Sequence, residues 1–202
     1  MKNILRMILV TLFIVPFFPL FLYRTYGNKR YRLTGNTIIV CNHYSNFDPL
    51  FIQMKFYTKK IRFIALKGTK RRVHLRFITW LFDCIYVDQD KIDVNFFKTS
   101  IQSLSNGEVI CIFPEGVVNP RKFGLFDFKQ SYLRLAKKTG AKILPLYLYP
   151  ELKWFKRSKL YIGDELIFDY HNRDLDIINT QVMSILLDYE ESFKKSINRY
   201  LV

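Results

Sequence analysis

From Thr37 onward the sequence alternates short apolar runs with amphipathic segments, and this alternation restricts the fold more than any other feature. Apolar runs of four to eight residues are typical of strands, and the segments between them have helical spacing. Strands joined through helices form parallel sheets, because each crossover returns the chain to the same edge. We therefore predict an α/β fold with a largely parallel sheet flanked by helices. The strands are predicted at 37–41, 61–66, 84–87, 109–113 and 143–149, and the helices at 49–57, 91–104 and 128–138.

Local signals indicate where further elements begin and end. Asp90 is the predicted N-cap of the second helix, because an aspartate side chain accepts hydrogen bonds from the first turn. Gly140 is predicted to end the third helix, since glycine readily adopts the left-handed conformation. A late hairpin is predicted from strands at 159–162 and 166–169, which flank a Gly-Asp turn. Apolar residues spaced three and four apart over 178–200 predict a C-terminal helix.

The amino-terminal segment has the composition of a membrane anchor. Residues 7–23 carry no charge, and as a straight helix they would be roughly 26 Å long against roughly 30 Å of hydrocarbon. Pro16 and Pro19 would break or kink that helix. We predict that residues 1–30 form a membrane-associated helical segment, and that residues 31–202 form the α/β domain. A broken or re-entrant hairpin is favoured over a single span or a soluble core helix.

The positive charge is concentrated in the first 80 residues, which hold 15 basic side chains and one acidic side chain. The remaining 122 residues are nearly balanced, with 17 basic and 16 acidic side chains. This asymmetry indicates an anionic partner, such as a membrane surface, a nucleic acid or a phosphorylated substrate. The uncharged amino-terminal run favours the membrane surface and argues against nucleic acid. The nine Lys and Arg residues within 55–76 form either a lipid-facing patch or a solvated basic face.

Polar residues follow three of the predicted strands, at 42–49, 88–89 and 114–116. Neighbouring parallel strands would bring these segments to one pocket at their carboxyl ends. In the first segment, His43 can exchange a proton near neutral pH, and Asp48 can orient its ring and stabilise the protonated form. With no serine nucleophile in the pattern, the histidine would deprotonate a substrate hydroxyl directly. The alternative is a structural histidine beside a helix-start aspartate.

The third polar segment offers a second set of candidate residues. The Glu115 carboxylate could accept hydrogen bonds from polyol hydroxyls at the mouth of a pocket, and Gly116 would let the backbone approach a ligand. The alternative is an ordinary turn after a strand. The three cysteines lie in apolar runs, which favours buried free thiols, and their spacing does not match a zinc site.

Together these residues resemble the glycerolipid acyltransferase family with the HxxxxD motif, which includes the 1-acylglycerol-3-phosphate acyltransferases. Residues 42–49 match the first family block, and the Phe-Pro-Glu-Gly segment at 113–116 matches the start of the third. The Val-Asp-Gln segment at 87–89 stands at the second block, and an apolar strand containing Pro145 stands at the fourth. The order and rough spacing hold from about residue 30 to residue 170, and the pairing of the first and third blocks is specific.

The chain departs from the family pattern at two arginines that are implicated in holding the phosphate of the acceptor. Gln89 replaces the arginine of the second block, and Val117-Val118 replace the Thr-Arg of the third. A neutral side chain cannot supply the charged, two-pronged contact of an arginine. Either other cations supply the charge, or the acceptor is not a phosphomonoester. The candidate cations are Lys67, Arg121, Lys122 and Lys129.

The resemblance implies an enzyme that transfers an acyl chain from a thioester of coenzyme A or acyl carrier protein to a lysophospholipid hydroxyl. His43 would be the general base and Asp48 its partner. It implies no metal and no prosthetic group. We expect an anionic membrane surface as partner, no nucleic acid, and a membrane location with the active site facing the cytoplasm. The alternatives are a catalytically silent lipid-binding relative and an acyltransferase for a non-phosphate acceptor. Predicted substrate-binding residues are Asn42, Lys67, Glu115, Gly116, Arg121, Lys129 and Pro145.

Overall fold

A computed structural model describes residues 23–68, 76, 79–88, 93–121, 123–149, 158–170 and 172–198. Most of the predicted membrane segment, residues 1–22, lies outside the described residues. No helix in the described part of the chain combines the length and the apolarity that a membrane span requires. The elements in chain order are β1 (Tyr23–Gly27), β2 (Thr37–Cys41), α1 (Asp48–Lys55), β3 (Ile61–Leu66), β4 (Ile85–Val87), α2 (Val94–Ser105), β5 (Val109–Ile112), α3 (Ser131–Thr139), β6 (Lys142–Tyr149), β7 (Ser158–Ile162) and α4 (Leu175–Asn198).

The described strands form one sheet in the order β1-β7-β6-β2-β5-β3-β4. Strands β2 to β6 are parallel to one another, which confirms the predicted α/β fold with a largely parallel sheet. At the centre, Ile38 of β2 stands opposite Ile110 of β5 and Ile143 of β6. Strand β7 runs antiparallel to β6, and β1 runs parallel to β7 at the outer edge. The carboxyl ends of β2 and β5 therefore lie side by side.

The two faces of the sheet are both buried, as expected when helices cover a parallel sheet on each side. Alternate residues of β2 point to opposite faces, so Ile38 and Ile39 belong to different cores, and both are fully buried. The first core includes side chains of α2, α3 and α4, and the second includes Phe51 and Ile52 of α1. This continuous burial explains why the central strands are recognisable as unbroken apolar runs.

The predicted late hairpin is wrong. Leu166 pairs with Ile143 of β6 through backbone hydrogen bonds of 2.7 and 3.0 Å, and not with β7. Strand β7 uses its two edges for β6 and β1 instead. The sequence analysis placed residues 23–27 inside the anchoring segment, whereas the structure places them in the sheet as β1. A short strand with Tyr, Arg and Thr directly after an uncharged run gave no separate signal.

The helix boundaries differ modestly from the predicted ones. Helix α2 begins at Val94, and its N-cap is Asp93 rather than Asp90, since the Asp93 side chain accepts a hydrogen bond from the backbone N–H of Phe96 at 3.1 Å. Helix α3 begins at residue 131, not at 128. Its predicted end at Gly140 is confirmed, with a φ of 65° in the left-handed region.

Candidate active site

The candidate site lies where the loops that follow β2 and β5 meet. These are the central neighbouring strands of the sheet, so their carboxyl ends open at the same edge. The two loops are joined directly, because the backbone N–H of Asn119 donates to the carbonyl oxygen of His43 at 2.6 Å. The prediction that the first and third polar segments converge is confirmed.

His43 and Asp48 are in direct contact. The Nδ1 atom of His43 lies 2.9 Å from Oδ2 of Asp48, which stands at the first residue of α1. The same oxygen accepts hydrogen bonds from the backbone N–H groups of Tyr44 at 2.6 Å and Ser45 at 2.8 Å. The carboxylate is fully buried, whereas the imidazole side chain is 17% exposed. Because a carboxylate accepts here, Nδ1 carries the proton and Nε2 is left as the acceptor nitrogen.

The plane of the imidazole is also fixed by stacking. The rings of His43 and Phe113 are 4.1 Å apart between centroids and are inclined by 15°. Phe113 follows β5 directly and stacks in turn on Phe63 at 6.5 Å. The hydrogen bond to Asp48 and the stacking on Phe113 together restrain rotation of the histidine ring. The imidazole is therefore held in one orientation before any ligand binds.

Glu115 serves the architecture of the two loops. Its Oε1 accepts the backbone N–H of His43 at 2.9 Å. Its Oε2 accepts the side-chain N–H of Asn119 at 2.8 Å and the backbone N–H of Phe126 at 2.9 Å. The residue is only 4% exposed, so it does not stand at an open mouth as expected. Its predicted contact with an acceptor hydroxyl stays a prediction. The hydrogen bonds that it makes in the structure connect the loop after β2 to the loop after β5.

Gly116 lies at the site as the sequence analysis expected. It lines the pocket described below, and its φ of 73° is in the region that disfavours residues with a side chain. A backbone that turns here without a Cβ brings the chain close to whatever occupies the pocket. The role predicted from the sequence is thus consistent with its position.

Asn42 directly follows β2 and Pro145 lies in β6, and neither is among the residues that line the pocket in the described part of the chain. The Asn42 side chain ties β2 to β6, because its Nδ2 donates to the carbonyl of Leu148 at 2.9 Å and its Oδ1 accepts the Leu148 N–H at 2.8 Å. Pro145 is a buried residue of β6, stands opposite Val40, and accepts through its carbonyl a hydrogen bond from Gly163. The substrate contacts predicted for both stay predictions.

A pocket of about 370 Å³ opens beside His43, which is one of its lining residues. Volumes of a few hundred Å³ are typical of small-molecule sites. The lining is mostly apolar and comes from β3, β4, α2 and the residues after β5. Its large apolar side chains are Phe63, Ile64, Leu66, Phe82, Val87, Phe96, Phe97, Ile112 and Phe113. Such a lining suits a hydrocarbon chain better than a sugar or a nucleotide.

Lys67, a predicted phosphate contact, is paired with carboxylates at one side of the pocket. Its Nζ lies 2.7 Å from Oδ2 of Asp93 and 3.9 Å from Oδ2 of Asp88, and both aspartates line the pocket. The lysine, together with the backbone N–H groups of Phe96 and Asp88, lowers the pKa of the Asp93 carboxyl to about 2. The lysine charge is thus already balanced by two anions.

The other predicted cations are distributed around the site. Arg121 stacks over the ring of Phe126 at 4.8 Å and lines a separate small crevice. Lys122 lies outside the described residues. Lys129 lines the main pocket, and so does Arg134, which the sequence analysis did not single out. Neither has a carboxylate within 4.0 Å among the described residues.

Glu190, a buried carboxylate of α4, was not among the residues predicted from the sequence. It accepts the backbone N–H of Gly124 at 2.9 Å and the hydroxyl of Tyr147 at 2.8 Å, and it pairs with Lys194 at 2.8 Å. Glu190 therefore anchors the loop that carries the Glu115 partners to the C-terminal helix. Its signal in the sequence is a glutamate one turn after Leu186, on the buried face of the helix.

Comparisons with known proteins match this arrangement. A family model described as Acyltransferase matches residues 23–149. A 1-acyl-sn-glycerol-3-phosphate acyltransferase of Borreliella burgdorferi is 27% identical over 177 residues, which cover 86% of this chain and 67% of that protein. A probable 1-acyl-sn-glycerol-3-phosphate acyltransferase of Mycoplasma pneumoniae is 30% identical over 135 residues, which cover 60% of this chain and 47% of that protein.

Among solved structures, the 1-acyl-sn-glycerophosphate acyltransferase PlsC of Thermotoga maritima has a similar fold, with a TM-score of 0.69 at 20% identity. The match covers 86% of this chain and 73% of that one. At this identity the likeness establishes the fold. The chain spans about half the length of the Mycoplasma pneumoniae protein and of a similar protein from Mycoplasma genitalium.

Proposed function

This chain belongs to the acyltransferase family, and we propose that it transfers an acyl chain from an acyl thioester to a hydroxyl of a lysophospholipid such as 1-acyl-sn-glycerol-3-phosphate. The names of its relatives support this acceptor class. The observation that carries the proposal is the 2.9 Å contact between His43 Nδ1 and Asp48 Oδ2 at the edge of an apolar pocket. It provides an oriented base beside a space suited to a fatty chain.

The reaction follows from the free ring nitrogen. The acceptor hydroxyl binds against His43, and Nε2 takes its proton while the hydroxyl oxygen attacks the thioester carbonyl carbon. The carbon–sulfur bond then breaks, and the thiolate receives the proton from the imidazolium. The products are an ester and a free thiol, and the histidine returns to its starting state. Asp48 orients the ring and stabilises its positive charge between the two proton transfers.

The thiols of the chain do not suit an acyl-enzyme intermediate. Cys84 lines the pocket, but burial raises the pKa of its thiol to about 12. Burial likewise raises the pKa values of Cys41 and Cys111 well above the ordinary value. A nucleophilic cysteine must be ionised near neutral pH. Direct attack by the acceptor hydroxyl is therefore the better supported route, with either acyl-CoA or acyl carrier protein as the donor.

We further propose that the reaction takes place at a membrane surface, with the site on the cytoplasmic side. Lysophospholipids partition into membranes, so an enzyme acting on them benefits from an apolar rim. Val117 and Val118 line the pocket and are 48% and 37% exposed. The excess of basic residues before residue 81 suits the anionic headgroups of a bilayer.

The proposal is tested by following thiol release from acyl-CoA and from acyl carrier protein with a panel of lysolipids. We expect release with a lysophospholipid acceptor, and a loss of 10²–10⁴-fold in rate for His43→Ala. Asp188→Asn, which changes an exposed position on α4, is the matched control and should keep the rate.

Two outcomes would contradict the assignment. Full activity in His43→Ala would exclude this histidine as the base. Tight lysolipid binding without thiol release, for every donor and acceptor, would identify the chain as a lipid-binding relative instead.

A further inference from the structure

The two sides of the pocket differ in the charged side chains that line them. On one side, Asp88 directly after β4 and Asp93 at the N-cap of α2 line the pocket, and both carboxylates are within 4.0 Å of Lys67. On the α3 side, Lys129 and Arg134 face the pocket and have no carboxylate partner in the described part of the chain. The cations on the α3 side would attract an anion that enters the pocket.

The α3 cations are also close to the base. The backbone N–H of Lys129 donates to the carbonyl of Pro114 at 2.9 Å. Pro114 itself lines the pocket and follows Phe113, on which the His43 ring stacks at 4.1 Å. The backbone of Lys129 is therefore tied to the segment whose Phe113 ring stacks on His43.

Arg134 approaches the same place from one helical turn further along. Ser131 and Arg134 are three residues apart, so they share a face of α3, and both line the pocket. An arginine binds a phosphate through two parallel N–H groups, and a lysine adds a point charge. A serine hydroxyl can donate a third hydrogen bond.

From this arrangement we propose that Lys129 and Arg134, aided by Ser131, bind the phosphate of the acyl acceptor. The turn after Glu115 carries Val117 and Val118 and supplies no charge, so the binding of the headgroup moves to the start of α3. The phosphate ester of lysophosphatidate stands on the carbon next to its free hydroxyl, and Lys129, Arg134 and His43 all line the one pocket that would hold both groups. This inference rests on the proposed function and names the acceptor as a phosphomonoester.

The test compares Lys129→Gln, Arg134→Gln and the double variant with Lys137→Gln, an exposed lysine of α3 that does not line the pocket. Each variant is assayed with a phosphorylated acceptor and with the neutral monoacylglycerol. We expect KM for the phosphorylated acceptor to rise about 10- to 100-fold for each single variant, as for the loss of a charged hydrogen bond. KM for the neutral acceptor should change less than about 3-fold, and Lys137→Gln should behave as the wild type.

A phosphate of the donor could compete for the same cations, so the assay includes a second arm. Acyl-CoA is compared with an acyl thioester of N-acetylcysteamine, which has no phosphate. A rise in KM for acyl-CoA alone, with no change for the phosphorylated acceptor, overturns the inference. Equal effects on phosphorylated and neutral acceptors, or no effect on either, overturn it as well.

A binding measurement separates this inference from the proposed function. The full chain is titrated with lysophosphatidate and with monoacylglycerol in neutral detergent micelles, which requires no turnover. We expect tighter binding of the phosphorylated lipid, and loss of that difference in the double variant. Equal binding of the two lipids to the wild type overturns the headgroup inference. Absence of thiol release in the activity assay, by contrast, overturns the proposed reaction and leaves the binding result to decide the headgroup site.

Discussion

The loops that follow β2 and β5 each hold a buried carboxylate, but the two carboxylates have different partners. Asp48 contacts the ring nitrogen of His43, a group that can exchange a proton. Glu115 contacts two backbone N–H groups and the amide of Asn119, none of which exchanges a proton in catalysis. The comparison shows that the fold gives the two carboxylates different partners, an ionisable ring for Asp48 and amide groups for Glu115.

The largest effect should come from Asp48→Asn. The amide is close in shape, but it no longer stabilises a positive charge on His43 and can favour the wrong tautomer. We expect kcat to fall by about 10²–10⁴-fold, with KM within about 3-fold of the wild type. Steady-state kinetics and a thermal unfolding curve check this. A lower unfolding temperature with an unchanged kcat would show that Asp48, like Glu115, mainly stabilises the loops.

Glu115→Gln should have the opposite effect to Asp48→Asn, with a clear loss of stability and little loss of rate. The amide nitrogen would face the N–H donors of Asn119 and Phe126, so a buried donor would lose its acceptor. We expect the free energy of unfolding to fall by about 1–3 kcal/mol, with a rate loss of no more than about 10-fold. Denaturant unfolding and kinetics on the same preparation check this. A large loss of kcat at unchanged stability would instead indicate that Glu115 contacts the substrate.

Glu190→Gln should have a smaller effect of the same kind. One oxygen can still accept from Gly124 or Tyr147, but the ion pair with Lys194 is lost. We expect a stability loss of about 1 kcal/mol and a rate loss below that of Glu115→Gln. Glu191→Gln, at the exposed neighbouring position, is the control. A rate loss as large as that of Asp48→Asn would contradict the view that α4 only supports the loop.

The smallest effect concerns the acidic side of the pocket. The Asp93 pKa of about 2 lies below the value of about 3.9 for an unfolded aspartate. Because the folded state binds the proton less readily, this carboxylate stabilises the fold above about pH 4, and the contribution disappears as the pH falls toward 2. The difference in unfolding free energy between wild type and Asp93→Asn should therefore shrink over that interval. Replacing the partner lysine, in Lys67→Met, should also reduce the difference in unfolding free energy that Asp93→Asn causes. A difference that stays constant with pH would contradict the ion pair.

A feature of the fold or the site could be predicted from the sequence when the residues that form it are close together in the chain. The central strands were predictable because residues such as Ile38 and Ile39 are buried on both faces and leave unbroken apolar runs. The contact between His43 and Asp48 was predictable because five residues and a helix start suffice to form it. The partners of Glu115 were not, since they include His43, 72 residues earlier in the chain, and Phe126, 11 residues later.

The same reasoning explains the residues that were missed or misplaced. Arg134 looks like any charged residue on the polar side of an amphipathic helix, and only the packing of α3 reveals that it faces the pocket. Strand β1 is short and polar, and its pairing with β7 joins residues more than 130 positions apart. Pro145 was correctly predicted to lie in a strand, and its predicted substrate contact stays a prediction.

The stacking of His43 on Phe113 has a consequence for the order of bond making. An imidazole clamped between a carboxylate and a phenyl ring cannot swing to follow a departing group, as a hinged base could. In the proposed reaction, the alcohol oxygen must therefore give its proton to Nε2 and the sulfur must later take it from the same nitrogen, whose position does not change. Substrates that present both atoms on one side of the carbonyl satisfy this requirement. A donor bound with its sulfur turned away would release a thiolate that takes its proton from water, and the imidazolium would then have to lose its own proton to water before the next turnover.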